Sequence, residues 1–307
     1  MESTDQPRPR ALLGGALILL SAIGFSSKSI LIKLAYADSA QVDAITLMTL
    51  RMLIALPFFL AVALWQGKAV KAERRRSDWA ALLMLGVLGY YLASFLDFKG
   101  LEHIPAGLER LILFLYPTFV VLLTALLHRR AISRIQQLAL LLSYAGIGLV
   151  YGTQPLSGAP DITLGALLVL GSAVTFAVYL TASGHYIPRF GSRRFTAYSM
   201  SVACAVTIAH FLLTRPLARL AVSPDVLWLA VGLALISTVL PAFLMNAGIR
   251  RIGADRAAII GTVGPVSTLI LAYLVLDEAM ALPQVLGAAL VLIGVLLVML
   301  TRRRGPG

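Results

Sequence analysis

The sequence predicts an all-α integral membrane protein, with ten transmembrane helices arranged as two inverted five-helix repeats. Three observations carry this. Of the 307 residues, 59% are hydrophobic and only 13% are charged, more apolar surface than a soluble domain of this length can bury. The chain also divides into ten apolar runs close to the ~20 residues that a bilayer core requires. Finally, the second half repeats the first with its charges inverted. The runs must be helical, because lipid cannot partner a free backbone amide and the runs are too long and too uniformly apolar for barrel strands.

The first span, Ala11–Ala35, follows Arg8 and Arg10. Those arginines and the small-x-small "AYA" at 35–37 resemble a secretory leader. The run is too long for one and contains Lys28, so this helix is expected to be retained. The second span, Ala44–Trp65, carries Arg51 early. The third, Trp79–Leu96, holds Tyr90 and Tyr91, and the fourth, Ala106–Leu127, has Pro117 near its middle. The fifth, Ile135–Tyr151, presents Ala139, Ser143 and Gly146, a spacing of small residues that permits close helix contact. These five form a first unit, 1–155. The second unit, 156–307, contains Ile162–Gly184, Phe195–Leu213, Val226–Ile249, Ala257–Leu276 and Pro283–Leu300. Its last span places Gly287 and Gly294 where the fifth has its small residues. Bundle packing is the first reading of these stripes, and a homodimer contact is the alternative.

The net charge of +12 is distributed in a way that sets orientation. Arg8 and Arg10, "GKAVKAERRRSD", "HRRAISR", "PRFGSRR", "RRIGADR" and "TRRRG" all fall on one face of the predicted bundle. The other face has Lys99, Arg215 and Arg219 alone. The positive-inside rule then puts both termini in the cytoplasm. No basic stripe interleaved with aromatics occurs, so nucleic acid is not an expected partner. Cys204 is the single cysteine and is expected to be a buried apolar side chain. Neither an HExxH helix nor a nucleophile beside a buried base is present, so no metal, no cofactor and no enzymatic activity are expected.

Residues 100–151 align with 248–299 without a gap, pairing Gly100 with Gly248, Pro117 with Pro265, Gln136 with Gln284 and Gly146 with Gly294. A second match, 14–25 with 165–176, pairs Gly14 with Gly165, Ser21 with Ser172, Ala22 with Ala173 and Phe25 with Phe176. Five spans per unit is odd, so the second copy enters the membrane from the opposite side. The slot occupied by "HRRAISR" in the first copy is "LDEAMAL" in the second, as the positive-inside rule requires of segments on opposite faces. Two inverted halves can open a central site to each side in turn, which is the logic of a transporter. A passive channel on the same duplication is the alternative.

The blocks "GLEHIPAGLERLILFLYPTFVVLL", "LDEAMALPQVLGAALVLIGVLLV" and "SAIGFSSKSILIK" resemble the drug/metabolite transporter superfamily, specifically its ten-helix EamA-type exporters. The resemblance covers about residues 11–300. Glu278, Gln284 and Gly287 match the family's acidic residue before a Gln-x-x-Gly stretch. In the first copy His128, Arg129 and Arg130 replace the acidic residues, and Ala139 takes the glycine slot. The resemblance implies an inner-membrane exporter with a cavity lined by helices one, three, four, six, eight and nine. Its implied substrates are amino acids, aromatic ones included, other small metabolites, or drug-like cations. Amino-acid export is preferred, because a +12 chain offers cations to a carboxylate.

The candidate substrate-binding residues are Lys28, Ser26, Tyr90, Phe95, Tyr116, Tyr179, Asn246, Thr262 and Ser267. A charge inside a span costs about 2.5 kcal/mol or more. Lys28 is therefore expected to meet a substrate carboxylate, to be paired within the bundle, or to snorkel outward. Tyr179 is its repeat equivalent and could face it across the site. Lys33 is expected to snorkel, and Arg51 to be structurally paired. Glu109 and Arg110 are candidates for an outer gate, with Asp97 a possible partner for Arg110. Pro117 and Pro265 free the carbonyls of Leu113 and Gly261, marking pivots or static kinks. Gly261, Gly264 and Pro265 should make the ninth helix the softer one. All acids fall near predicted span ends, which suggests weak proton coupling or facilitated diffusion.

Overall fold

A computed structural model describes residues 8–39, 41–64, 75–129, 131–152, 159–278 and 281–302. Its regular structure there is entirely helical. Ten rods follow one another: α1 (Arg8–Asp38), α2 (Ala44–Leu64), α3 (Arg76–Leu101), α4 (Ala106–Leu127), α5 (Arg134–Tyr151), α6 (Ala159–Phe190), α7 (Ser192–Thr214), α8 (Pro224–Ile252), α9 (Ala254–Gly261 continued by Val263–Leu276) and α10 (Leu282–Arg302). Eight of them meet the length and hydropathy of a membrane span. The other two are α5, which opens on Arg134, Gln136 and Gln137, and α9, which is interrupted. The ten expected spans are present, most of them longer than the apolar runs. Flanking polar residues continue the helix wherever their carbonyls still find partners.

The repeat is legible in the backbone. Helices α3 and α8 each contain a π-helical turn at the same register, Val87–Leu92 and Leu235–Val239. Helices α4 and α9 each break at the same register, the first at Phe114 and Leu115 and the second at Thr262. Pro117 and Pro265 thus do not kink continuous helices. They sit in the first turn of a fresh segment, where a missing N–H costs least. The two helices that were expected to differ in softness break alike.

Both α4 and α9 end on a left-handed residue, Arg129 (φ 49°) and Asp277 (φ 52°), which the repeat pairs. The next helix opens the same way in each half. Gln136 accepts the Ser133 N–H at 3.0 Å, and Gln284 accepts the Ala281 N–H at 3.1 Å. The sharp inversion from arginines to acids is therefore laid on one conserved turn geometry.

Four repeat-paired glycines are the crossings between halves. Gly14 on α1 lies against Gly248 on α8, and Gly165 on α6 lies against Gly100 on α3. A Cβ on Gly248 would stand 3.0 Å from the Gly14 carbonyl oxygen, and one on Gly165 3.0 Å from that of Gly100. Small-residue contact is how helices associate where lipid removes the hydrophobic drive. The expected stripes pack α5 on α10: a Cβ on Gly146 would meet the Gly287 carbonyl oxygen at 2.5 Å, and one on Gly294 that of Ala139 at 2.6 Å. These residues pack within the bundle, as the first reading of the stripes expects.

Core side chains concentrate at the end opposite to where α1 begins and α10 ends. Ile32, Ala35, Leu47, Met48, Phe98, Leu101, Ala106 and Leu233 are fully or almost fully buried there. Lys33 joins this layer instead of snorkelling. Its Nζ donates to the Leu101 and Ile104 carbonyls, each at 3.3 Å, which α3 and α4 leave unpaired at their junction. Cys204 is fully buried beside Met52, as expected.

Candidate functional site

Between the halves lies a cavity of about 630 Å³. Its lining runs from Lys28, Asp97 and Arg110 at mid-bundle to Ile249, Ala257 and Met299, towards the side where α1 begins and α10 ends. Besides the six expected helices, α2, α7 and α10 contribute to its wall. The largest apolar side chains on the walls are aromatic or thioether: Phe25, Phe59, Tyr90, Phe114, Tyr116 and Phe176, with Met52, Met200, Met245 and Met299.

The polar end is a buried charge cluster. Lys28 lies about 15 Å along α1 from Asp38, counting 1.5 Å per residue. Its Nζ donates to Asp97 Oδ2 at 2.5 Å and stands 3.7 Å from Glu109 Oε1. Ser29 donates to Glu109 Oε2 at 2.5 Å. Asp97 is 2% and Glu109 0% exposed. Both acids lie near span ends, as expected, yet neither is exposed. Asp97 is one turn from the end of α3 and Glu109 is in the first turn of α4, but the α3–α4 hairpin folds both ends against the middle of α1. The lysine takes the paired alternative, and Asp97 is its partner, not that of Arg110.

Two cations face the cavity without an ion pair among the described residues. Arg51 is held by Ser94 Oγ at 3.3 Å from Nη2, and its guanidinium stands 4.7 Å over the Phe98 ring. These contacts are with a hydroxyl and a ring, and no ion pair is formed among the described residues. Arg110 lines the cavity near Gly264. The Nε atoms of both are buried and unpartnered among the described residues. The sequence reads Arg51 as a structurally paired residue early in the second span and Arg110 as an outer-gate candidate, and neither reading places a guanidinium on the cavity wall.

The remaining candidates separate cleanly. Tyr90 and Tyr116 are on the wall. Tyr179 is buried behind Tyr90 and donates to its hydroxyl at 3.1 Å, so it does not face Lys28 across the cavity. Phe95 stacks with Tyr91 and meets His210 edge-on, away from the lining. Ser26 spends its hydroxyl on the Ala22 and Gly264 carbonyls at 2.6 and 2.7 Å, tying α1 to α9. Ser267 bonds its own backbone at Val263. Thr262 is the break residue of α9, Gly261 and Gly264 line the cavity, and Pro117 and Pro265 are buried beside their breaks. The side chain of Asn246 lies outside the described residues.

The cluster belongs to one half only. The repeat equivalents of Lys28, Asp97, Glu109 and Arg110 are Tyr179, Met245, Ala257 and Ala258. Where first-half groups carry charge, the second half is apolar or neutral.

A model of the EamA-like transporter family matches residues 12–152 and again 163–300. The uncharacterized transporter YcbK of Bacillus subtilis is 35% identical over 94% of this chain and 93% of its own. An uncharacterized transporter of Archaeoglobus fulgidus is 24% identical, covering 92% of this chain and 95% of its own. The uncharacterized inner membrane transporter YicL of Salmonella typhimurium is 26% identical, covering 94% and 95%. A crystal structure shares the fold with a TM-score of 0.62 at 22% identity, over 97% of this chain and 98% of that one.

Proposed function

The chain belongs to the EamA-like transporter family and is a multi-pass membrane transporter, and from that premise we propose that it exports amino acids or related small metabolites from the cytoplasm by alternating access. The observation that carries this reading is the composition of the cavity. Arg51 and Arg110 offer guanidinium groups to a carboxylate, Asp97 offers a carboxylate to an ammonium, and the aromatic wall accepts an apolar side chain. A cavity of about 630 Å³ is in the range of small-molecule sites.

Alternating access is supported by the asymmetry along the membrane normal. The closely packed layer at Phe98, Leu101 and Ala106 closes one end, and the cavity occupies the other. With the termini cytoplasmic and the protein in the inner membrane, this arrangement is the inward-facing state of the cycle.

Export of drug-like or quaternary cations is the second reading, favoured by the aromatic rings that share the cavity wall with Asp97. Purified protein in liposomes, offered radiolabelled amino acids and quaternary ammonium compounds, distinguishes them. Saturable, trans-stimulated amino-acid exchange is expected. Exchange confined to cations would transfer the assignment to the second reading, and an ohmic conductance would replace the carrier with a channel.

A further inference from the structure

We propose that the cavity carries its substrate as a monoanion: a carboxylate on an apolar body with no free ammonium, seated on Arg110. This rests on the reading above, that the cargo is an amino acid or a related metabolite, and within it selects the relatives whose amino group is blocked or missing.

The charge balance at mid-bundle is the first observation. Lys28, Arg51 and Arg110 meet two acids, Asp97 on the cavity wall and Glu109 behind it. Asp97 lies within electrostatic reach of all three cations. The cluster therefore keeps one net positive charge. The next charges out cancel, since Lys99 pairs with Glu102 and Lys33 faces Glu278. The cavity lining from α6 to α10 is uncharged among the described residues.

The second observation is which groups are already engaged. Asp97 gives Oδ2 to Lys28, and its Oδ1 is buried. Glu109 gives Oε2 to Ser29 and stays off the wall. Arg51 is engaged by Ser94 and the Phe98 ring. The side chain of Arg110 lies on the wall and makes no hydrogen bond or ion pair among the described residues. Its place is kept by a glycine: a Cβ on Gly264 would stand 3.2 Å from Arg110 Nη2. The repeat puts Tyr116 in the same slot of α4, so it is the missing side chain on α9 that leaves room for the guanidinium.

Closure decides what these groups accept. While the cavity is open, water screens the surplus charge. An alternating cycle seals the substrate from both sides, and a net charge sealed among apolar walls is costly. A monoanion on Arg110 brings the sealed cluster to zero. A zwitterion leaves the surplus in place, because its ammonium either displaces Lys28 from Asp97 or stays unpaired. A cation doubles the surplus. The aromatic and thioether walls then take the apolar body. A substrate carried this way moves one negative charge outward per cycle, so an inside-negative membrane potential drives export.

Four compounds that share a benzyl group test the charge: phenylalanine, its amide, N-acetylphenylalanine and 3-phenylpropionate. Binding to the purified wild type is read by calorimetry. The two anions are expected to bind roughly tenfold tighter than phenylalanine, the worth of one charge-assisted hydrogen bond, and the amide more weakly still. Phenylalanine binding as tightly as the anions, or more tightly, overturns the proposal and leaves the amino-acid reading standing. Binding of 3-phenylpropionate alone keeps the anion seat and removes the amino-acid reading. Preference for the amide, or binding of none of the four, overturns both. The anion preference should vanish in Arg110→Gln and persist in Arg110→Lys; a preference that survives Arg110→Gln removes Arg110 from the seat. The wild-type ranking decides the substrate charge even where a variant fails to fold. In wild-type proteoliposomes, a potassium diffusion potential of about 60 mV should sustain up to about a tenfold gradient of N-acetylphenylalanine and none of phenylalanine. Anion transport indifferent to the potential overturns carriage as a monoanion.

Discussion

Lys28 can sit in the middle of an apolar helix because Asp97 lies 2.5 Å away. Removing either partner alone leaves an uncompensated buried charge, which costs about 3–5 kcal/mol. Lys28→Met should therefore lower the melting temperature in detergent strongly, and adding Asp97→Asn should recover part of the loss. Equal stability of the single and double variants would contradict the pairing. Arg51 presents the opposite case, a buried cation that makes no ion pair among the described residues and whose Nε has no hydrogen-bond partner there. Arg51→Gln should raise the apparent KM for a carboxylate substrate roughly tenfold, the loss of one charge-assisted hydrogen bond, with little effect on a quaternary cation. Uptake kinetics in proteoliposomes read both. The sequence exposed Lys28 and both acids as residues. It did not expose their meeting, because the contacts Lys28–Asp97 and Ser29–Glu109 span 69 and 80 positions.

At the scale of the element, close backbone approach is the organising device. Gly146→Leu should separate α5 from α10, since even a Cβ there meets the Gly287 carbonyl oxygen. Gly148, two residues on, faces open space, so Gly148→Ala should be neutral or slightly stabilising through helix propensity. Thermal unfolding followed by size-exclusion chromatography separates the two outcomes. The α1–α2 turn is held differently. Asp43 accepts from Thr46 and pairs with Arg215 at 2.6 Å. Burial pushes its carboxyl pKa up, but the Thr46 and Arg215 hydrogen bonds and the Arg215 charge outweigh this, and the net shift is downward. The contribution is complete above the ordinary carboxylate range and is lost as pH falls through the depressed value. For so exposed a pair it is under about 1 kcal/mol. The wild type should lose more stability than Asp43→Asn between neutral and acid pH.

On the scale of the molecule, the two halves meet at a clasp. Glu278, from the turn after α9, accepts the Ala106 and Gly107 N–H groups at 2.7 and 3.0 Å. It thereby caps α4 of the other half, where a carboxylate complements the helix dipole. The proposed cycle requires this contact to open. In a Cys204→Ser background, a cysteine introduced at Leu101 should react slowly with a membrane-impermeant thiol reagent. Adding Glu278→Gln should speed that reaction several-fold, and a cysteine at Met299 should change in the opposite sense. Unchanged rates at both sites would mean that the clasp does not govern access.

The sequence by itself determined the helices, their number and the inverted repeat, because lipid dictates span length and the positive-inside rule dictates charge placement along the chain. It also announced the family through local blocks such as "SAIGFSSKSILIK". Only the tertiary structure decided which polar residues face the cavity. Serine and tyrosine hydroxyls in a span can turn to a substrate or to a neighbouring carbonyl, and helical phase alone does not choose between them. Packing chose: Ser26 went to Gly264, Tyr179 went behind Tyr90, and Arg51 came inward. The same folding of the α3–α4 hairpin onto α1 turned acids at helix ends into a buried pair, since burial is set by what packs over a residue and not by its distance from a helix terminus.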